Sequence, residues 1–480
     1  MSREELLKLE KEEIITVLLT IIQQQAEEIA KLTERIAELE ARLNQNSKNS
    51  SKPPSSDGYK RPQSLRKRSG KKAGGQEGHE GSGLKLMCEP DEMIHHEPRE
   101  CVGCPKAAQC HADRSVCETR YEVDINVSPV ITAHQTVRVE CPERAKVLTG
   151  DFPDGINSTM QYGVNIEALA VSLNTVGMVS INRTHEILSG VFGIPISTGT
   201  ISAMVSDCAE TVMDPVNEIR EAIHEAAIAN VDETGVRVDK KTVWAHVVST
   251  DQLTYIEVQP SRGKKGIDAI GILLAYLGTI IHDCWASYFH YTAVRHGLCN
   301  AHLLRELAAV LENTKQAWAQ ALIDLLLQMK RVKETLLSQN KRKPTHYFIK
   351  KFSLSYNKIL SEALKQNPVP APDPTKKGKP KRGKTGALVD RLILHKDKYL
   401  LFFTDFSVPF DNNQAERDIR MFKVKQKVSG GFRTMDGARN FAAIMSYIGT
   451  ARKHGIPGFI AIKNALLGTP FSVKSLATTE

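Results

Sequence analysis

Three carboxylates stand at the ends of apolar patterns: Asp232 in IANVDETGV, Asp283 in TIIHDCW and Glu416 in DNNQAERDIRMFK. Carboxylate oxygens hold hard cations, and Mg²⁺ or Mn²⁺ bound in this way keeps positions open for substrate phosphate. Two such ions, about 3.5 to 4 Å apart, activate an attacking oxygen and stabilise a leaving oxygen in an in-line displacement. Asp232, Asp283 and Glu416 are therefore the candidate catalytic and metal-binding residues of a phosphoryl-transfer site. Any one Asp after an apolar run is more often a turn former, so only the three together point to chemistry.

Such a site needs strands and a helix to position it. AAIANVD reads as a strand ending in Asp232, followed by a turn at Thr234-Gly235 and two more strands, TVWAHVVS and LTYIEVQ. KKGIDAIGILLAYLG then reads as a helix and TIIHD as a short strand. The order βββαβ, with carboxylates on the first and fourth strands, is that of a ribonuclease-H-like fold. From His302 to about Gln366 the pattern is helical, an insertion before the last catalytic element. Glu416 falls on a helix capped by Asp411 or Asn412, where Arg420, Lys423 and Lys427 continue its stripe. Ala415, Ile419 and Phe422 form the adjoining apolar stripe. Such a cationic row suits DNA phosphates, although a salt-bridged solvent face has the same pattern.

Composition fits a multidomain globular chain, with 480 residues, 41% hydrophobic and 25% charged. The formal charge of +9 is concentrated, since residues 44 to 85 hold ten Lys/Arg against three Asp/Glu. That segment is rich in Ser, Asn, Gly and Pro and cannot bury a core. Within it Arg66, Lys67, Arg68, Lys71 and Lys72 read as a basic arm that neutralises phosphates without reading bases, or as a solvated linker. A second basic run spans Lys376 to Lys384. The longest apolar stretch, Ala269 to Ile281, has thirteen residues, short of the roughly 20 that a membrane span needs. No signal-peptide core follows the charged N-terminus, and nine cysteines do not suggest a disulfide framework. A cytoplasmic, nucleoid-associated protein without a membrane partner is expected.

Upstream, Ile15, Ile22, Ile29, Ile36 and Leu43 repeat every seven residues, with Leu18, Gln25, Leu32 and Leu39 at the second seam position. This predicts a parallel coiled-coil homodimer in which Arg35 and Glu40 pair across the seam; a single helix docked on the body is the alternative. Cys101, Cys104, Cys110 and Cys117, with His111 and Cys141 nearby, form a candidate Zn²⁺ module, or reduced and inert thiols. NRTHEILSGVFG and IPISTGTISAMVSDCAE resemble a helix-turn-helix whose second helix, capped by Ser197 or Thr198, presents Thr200 and Ser202 to DNA. A plain helical hairpin has the same signals.

These motifs resemble the DDE transposases of the insertion sequence 66 family over nearly the whole chain. NSKNSSKPPSSDG, GKKAGGQEGHEG, VDETGVRV, HDCWASY, CNAHLLREL and DNNQAERDIRMFKVKQKVSGGFRT carry the resemblance. It implies a metal-binding triad of Asp232, Asp283 and Glu416 with His302 and Arg305 nearby. It also implies bacterial origin, cleavage of DNA at element ends, transfer of the 3′-hydroxyl to target DNA, and accessory proteins of the same element as partners. The family pattern has a second CxxC where this chain has Cys141-Pro142-Glu143.

The expected fold class is α/β: a ribonuclease-H-like core with a helical insertion, joined to a coiled coil, a cysteine-rich module and a helical DNA-binding segment. The boundaries are coiled coil 1–43, flexible basic linker 44–86, cysteine module 87–150 and helix-turn-helix-like segment 151–222. The catalytic core takes 223–300 and 395–435, around an insertion with a basic loop at 301–394, before a C-terminal helical segment at 436–480. Two other functions fit parts of the pattern: an idle architectural or regulatory DNA-binding dimer, and a small-phosphoester metallohydrolase using His282, Asp283 and His302.

Overall fold

The computed structural model describes residues 10–46, 48–50, 88–102, 104–112, 115–125, 127–141, 146–370 and 382–476. The chain divides into two compact units, Met1–Pro62 with Thr132–Glu480, and Gln63–Ile131. In the larger unit five strands form one sheet: β1 (Ile228–Val238), β2 (Lys241–Ser249), β3 (Thr254–Gln259), β4 (Thr279–His282) and β5 (Arg295–Leu298). Their order is β3-β2-β1-β4-β5, antiparallel through the first three and parallel from β1 to β5.

Helix α1 (Lys11–Leu43) precedes this body. Before the sheet come α2 (Val164–Thr175), α3 (Ile181–Phe192), α4 (Thr198–Thr211) and α5 (Met213–His224), and α6 (Lys264–Ile270) lies between β3 and β4. The insertion is α7 (Asn300–Thr314), α8 (Ala317–Ser338), α9 (His346–Gln366), α10 (Gly383–Leu394) and α11 (Lys396–Thr404). The chain then returns through α12 (Asn413–Ser429), α13 (Met435–Lys453) and α14 (Gly458–Leu466).

Two expected boundaries move. β1 continues through Thr234 and Gly235 and turns at Asp239 and Lys240, both at positive φ (43° and 63°). Left-handed residues at a two-residue connection match the twist of paired strands, whereas Gly235 lies in the ladder opposite Trp244. The helix read over KKGIDAIGILLAYLG stops at Ile270, because Gly271 takes the left-handed C-terminal position (φ 79°).

Alternation along β1 sorts the core. Ala229 and Val231 join α2 to α6, α13 and α14 on one face, while Val236 and Val238 meet α12 and the first half of α13 on the other. The helices of 164–224 therefore share a core with the sheet. A third cluster unites α7 to α11 with Ile281 and Leu298. The β3 edge is covered by α13, whose Ser446 and Thr450 hydroxyls accept from the Ile256 (2.8 Å) and Thr254 (3.0 Å) amides.

Beyond α12, Gly430 and Gly431 (φ 79° and 104°) bring Phe432 back to β1, where its amide donates to the Arg237 carbonyl at 2.9 Å. A Cβ on Gly431 would stand 2.9 Å from that carbonyl oxygen. Gly431→Ala is expected to cost about 2 kcal/mol, combining left-handed strain with a backbone clash. A lower urea midpoint at unchanged slope would show it; an unchanged midpoint would refute it.

On α1 the seam residues Ile15, Leu18, Ile22, Ile29, Leu32, Ile36 and Leu39 are exposed. The linker does not begin as free chain at Asn44. Asn49 is buried, and its amide donates to Asn44 O at 2.9 Å and to Glu312 of α7. Arg66, Lys67, Arg68, Lys71 and Lys72 lie outside the described residues, as does most of the basic run from Lys376. In the smaller unit the described regular structure is one turn at Arg99–Val102 and another at Ala107–Gln109.

Candidate active site

β1 and β4 pair in parallel up to Asn230 opposite Ile281. Two residues further along both chains stand Asp232, whose side chain alternation aims at the face covered by α12, and Asp283, just past the end of β4. Helix α12 packs on that face through Ala415, Ile419 and Phe422, and Glu416 in its first turn acts electrostatically on Asp232. Asn412, at the head of α12, fixes the approach. Its side chain donates to Val231 O (2.8 Å) and accepts from Asn230 Nδ2 (2.8 Å), and its amide donates to Cys299 Sγ (3.2 Å). Asn412 thus holds the cap position but spends its side chain on β1, while the Asp411 carboxylate takes the Asn413 amide.

The rest of α12 is pinned at intervals. Asp418 accepts from Ser249 (2.5 Å), Thr254 (3.0 Å) and Lys453 (3.0 Å). Lys425, buried, donates to the Asn174 and Val179 carbonyls at the α2–α3 turn, and Ser429 donates to Met178 O. Buried polar groups must be satisfied, and here each satisfied group also ties Glu416's helix to the sheet.

The charges are mutually perturbing. Burial, then Glu233, Asp283 and Glu416, hold Asp232 well above the usual carboxylate range, against the Glu233 amide that donates to it at 2.9 Å. Burial and Glu233 push Asp283 up to about 6. Glu416 is raised by burial, opposed by Arg305 and Arg420. Carboxylates so crowded favour protons or cations, and their oxygen donors fit Mg²⁺ or Mn²⁺.

α7 supplies the outer wall of the Glu416 corner. His302 Nδ1 and Arg305 Nη2 lie 3.4 and 3.5 Å from the same Glu416 oxygen, which makes no hydrogen bond. Burial and Arg305 lower His302 to about 4, so the ring is neutral at pH 7. Cys299 Sγ, His302 Nδ1 and a Glu416 oxygen all fall within 4.8 Å of one another. His282 instead packs against Tyr288, Phe289 and His296 behind Asp283, apart from His302's contact with Glu416.

Of the cationic row, Arg420, Lys423 and Lys427 are exposed, although Lys423 also donates to Gly235 O. In α4 the Ser197 side chain caps the helix by accepting from the Thr200 amide at 3.0 Å, and the Thr200 hydroxyl turns back to Ser197. Ser202 is exposed, while Ile201, Met204 and Cys208 bury α4 against its neighbours. Cys101, Cys104, Cys110 and Cys117 are exposed free thiols. Among the described residues they do not converge into a ligand set; the single CxxC brings two sulphurs near in sequence, and nothing described folds the other two onto them.

Sequence reasoning placed Asp411 or Asn412 at the cap but missed the buried pairing of Asn412 with Asn230, invisible to polarity patterns, and β5, too short at RHGL for an alternation signal. It also missed the cluster on the other face of β1, where buried Glu233 and Tyr288 meet half-exposed Arg262.

No curated relative matches the chain. Among the described residues, no helix is long and apolar enough to cross a membrane. Residues 2–85 match a family described as Family of unknown function (DUF6444). Residues 159–440 match the family described as Transposase IS66 family; that match takes in more than half of the chain, with Asp232, Asp283, Glu416 and the elements that carry them, and the chain belongs to the IS66 transposase family.

Proposed function

We propose that this chain is a DDE transposase that binds the ends of its element, hydrolyses a DNA strand there and joins the freed 3′-hydroxyl to target DNA. One observation carries the reading: Asp232 and Asp283 follow adjacent parallel strands, and Glu416, on the helix packed over that sheet face, is near enough with Asp283 to raise Asp232 electrostatically, beside the exposed cations of α12. The order β3-β2-β1-β4-β5, antiparallel then parallel, supports a ribonuclease-H-like core split by the insertion of α7 to α11. Domains are proposed as expected from sequence, except that 151–222 packs as part of the core.

Bound at these oxygens, two Mg²⁺ or Mn²⁺ ions would supply an activated attacking oxygen and stabilise the leaving one. The chain's own residues do the rest. Asp232 and Asp283 give up their protons to hold the cations. Arg305 opposes protonation of Glu416, and neutral His302 packs beside it without adding charge. Arg420, Lys423 and Lys427 take phosphates of the strand being cut, which orients the scissile bond toward the carboxylates. Thr200 and Ser202 lie on a helix shared with the core; Ser202 remains free for a DNA contact. The exposed apolar seam of α1 supports pairing with a second copy as a coiled coil, which would bring two catalytic bodies to one pair of element ends.

Incubation of the purified chain with a labelled duplex bearing its element's end, and Mg²⁺ or Mn²⁺, tests the proposal. Runs with and without the accessory proteins of the element cover its expected partners. Nicking that exposes a 3′-hydroxyl at the end is expected. Binding without cleavage under every condition would favour an idle architectural dimer.

The basic arm has its own test in salt dependence. Glutamine at Arg66, Lys67, Arg68, Lys71 and Lys72 should flatten the slope of log affinity against log salt by about four, because each neutralised phosphate contributes about 0.9. An unchanged slope would remove the arm from the DNA interface.

A further inference from the structure

Glu233 directly follows Asp232, yet alternation sends its side chain through the opposite face of β1, where it is buried. There one carboxylate oxygen accepts from Arg262 Nε (3.0 Å) and Nη2 (2.8 Å), and the other accepts from the Tyr288 hydroxyl (2.5 Å). The half-exposed Arg262 guanidinium also lies over two indoles, 4.3 Å from the Trp285 ring centroid and 4.9 Å from that of Trp244. Trp285 lies two residues beyond Asp283, and its amide donates to Asp283 Oδ1 at 3.2 Å.

Each contact leads to a different part of the site. Glu233 is the neighbour of Asp232 on β1; Trp285 and Tyr288 belong to the segment that carries Asp283 after β4; Trp244 is on β2. β1 and β4 stop pairing at Asn230 and Ile281, so no ladder hydrogen bond sets the spacing of the two aspartates. We propose that Arg262 is a positioning residue: through Glu233 and Trp285 it holds the Asp283 segment against β1, so that the affinity of the aspartate pair for divalent cation depends on it.

This rests on the reading of Asp232 and Asp283 as metal ligands. A mere stabilising contact would not need this residue type. An ion pair with one half-exposed partner adds little to stability, whereas a planar donor that makes two hydrogen bonds and stacks fixes orientation in a way lysine cannot. Partners that orient metal ligands typically control affinity by about ten- to a hundredfold.

The chain contains three tryptophans. Two flank Arg262, and the third, Trp318, is buried in the insertion, so intrinsic fluorescence reports this site over a constant background. Mg²⁺ is titrated into the full-length wild type, Asp232→Asn, Arg262→Lys and Glu233→Gln, with urea midpoints measured in parallel. The expected result is a saturable wild-type response, lost in Asp232→Asn. In Arg262→Lys and Glu233→Gln it should shift to about tenfold higher Mg²⁺ or more. Trp285→Phe, followed through Trp244, provides the same test if a charged-pair variant does not fold. A half-saturation point in Arg262→Lys equal to wild type, whatever its urea midpoint, overturns the positioning role while leaving the metal site standing. A wild type without any Mg²⁺ response overturns the metal site and the inference with it.

Discussion

Glu416→Gln should leave a folded protein that binds element ends with an affinity within about twofold of wild type and cleaves them about a thousandfold more slowly. The size follows from losing one charged oxygen ligand at a phosphoryl-transfer centre, where several kcal/mol of transition-state stabilisation correspond to about three powers of ten in rate. The selectivity follows from the structure. Glu416 is not among the groups that anchor α12; those are Asn412, Asp418, Lys425 and Ser429. Glutamine keeps the shape and leaves the anchors of α12 in place, so Arg420, Lys423 and Lys427 stay where they are. Alanine would be a poorer choice, because it would also open space beside His302 and Arg305 in a partly buried corner. Cleavage by Glu416→Gln at close to the wild-type rate would dismiss Glu416 from the site; loss of DNA binding together with cleavage would mean that the substitution reports on docking instead.

The elements that carry the candidate carboxylates were legible because their signals are local. Apolar runs ending at Asp232 and Asp283 become adjacent parallel strands, and the stripe of Ala415, Ile419 and Phe422 beside Glu416 becomes the buried face of α12. Local signals misled where two residues competed for one role. Thr234-Gly235 has turn chemistry, but Asp239 and Lys240 four residues on can take the left-handed conformations that a tight hairpin requires, and pairing with β2 extends β1 to reach them. AIGILLAYLG is apolar enough for a helix, yet one glycine at the left-handed position ends it.

What could not be read was pairing between distant polar residues. Asn230 with Asn412 and Glu233 with Arg262 are separated by 182 and 29 residues. No periodicity marks a polar group that is buried because a partner distant in sequence satisfies it. The cysteines show the converse: a spacing suggestive of zinc does not by itself bring Cys110 and Cys117 to Cys101 and Cys104.

The last expectation concerns pH and metal together. Asp283 titrates near 6 and Asp232 and Glu416 above their ordinary values, with burial the first cause in each case. A carboxyl raised in the folded state binds more protons there than in the unfolded chain, so its contribution to stability is complete below the unfolded value, near 4, and is lost as pH rises through the folded value. Without metal, Asp283 should therefore lower stability between about pH 4 and 6, with Asp232 and Glu416 acting in the same direction, and stability should be lower at pH 7.5 than at pH 5. Cation binding reverses the sign, because Mg²⁺ replaces the proton and binds only the ionised cluster. The rise in Tm on adding saturating Mg²⁺ should accordingly be larger at pH 7.5 than at pH 5.5, and Mg²⁺-dependent cleavage should fall on the acid side of about pH 6. Arg305→Gln sharpens the test. Arg305 opposes the raised pKa of Glu416, so removing it should move the acid limb of the cleavage profile to higher pH while lower salt leaves that direction unchanged. An Mg²⁺-induced Tm shift equal at pH 5.5 and 7.5 would mean that the three carboxylates do not share a cation, whatever their proximity.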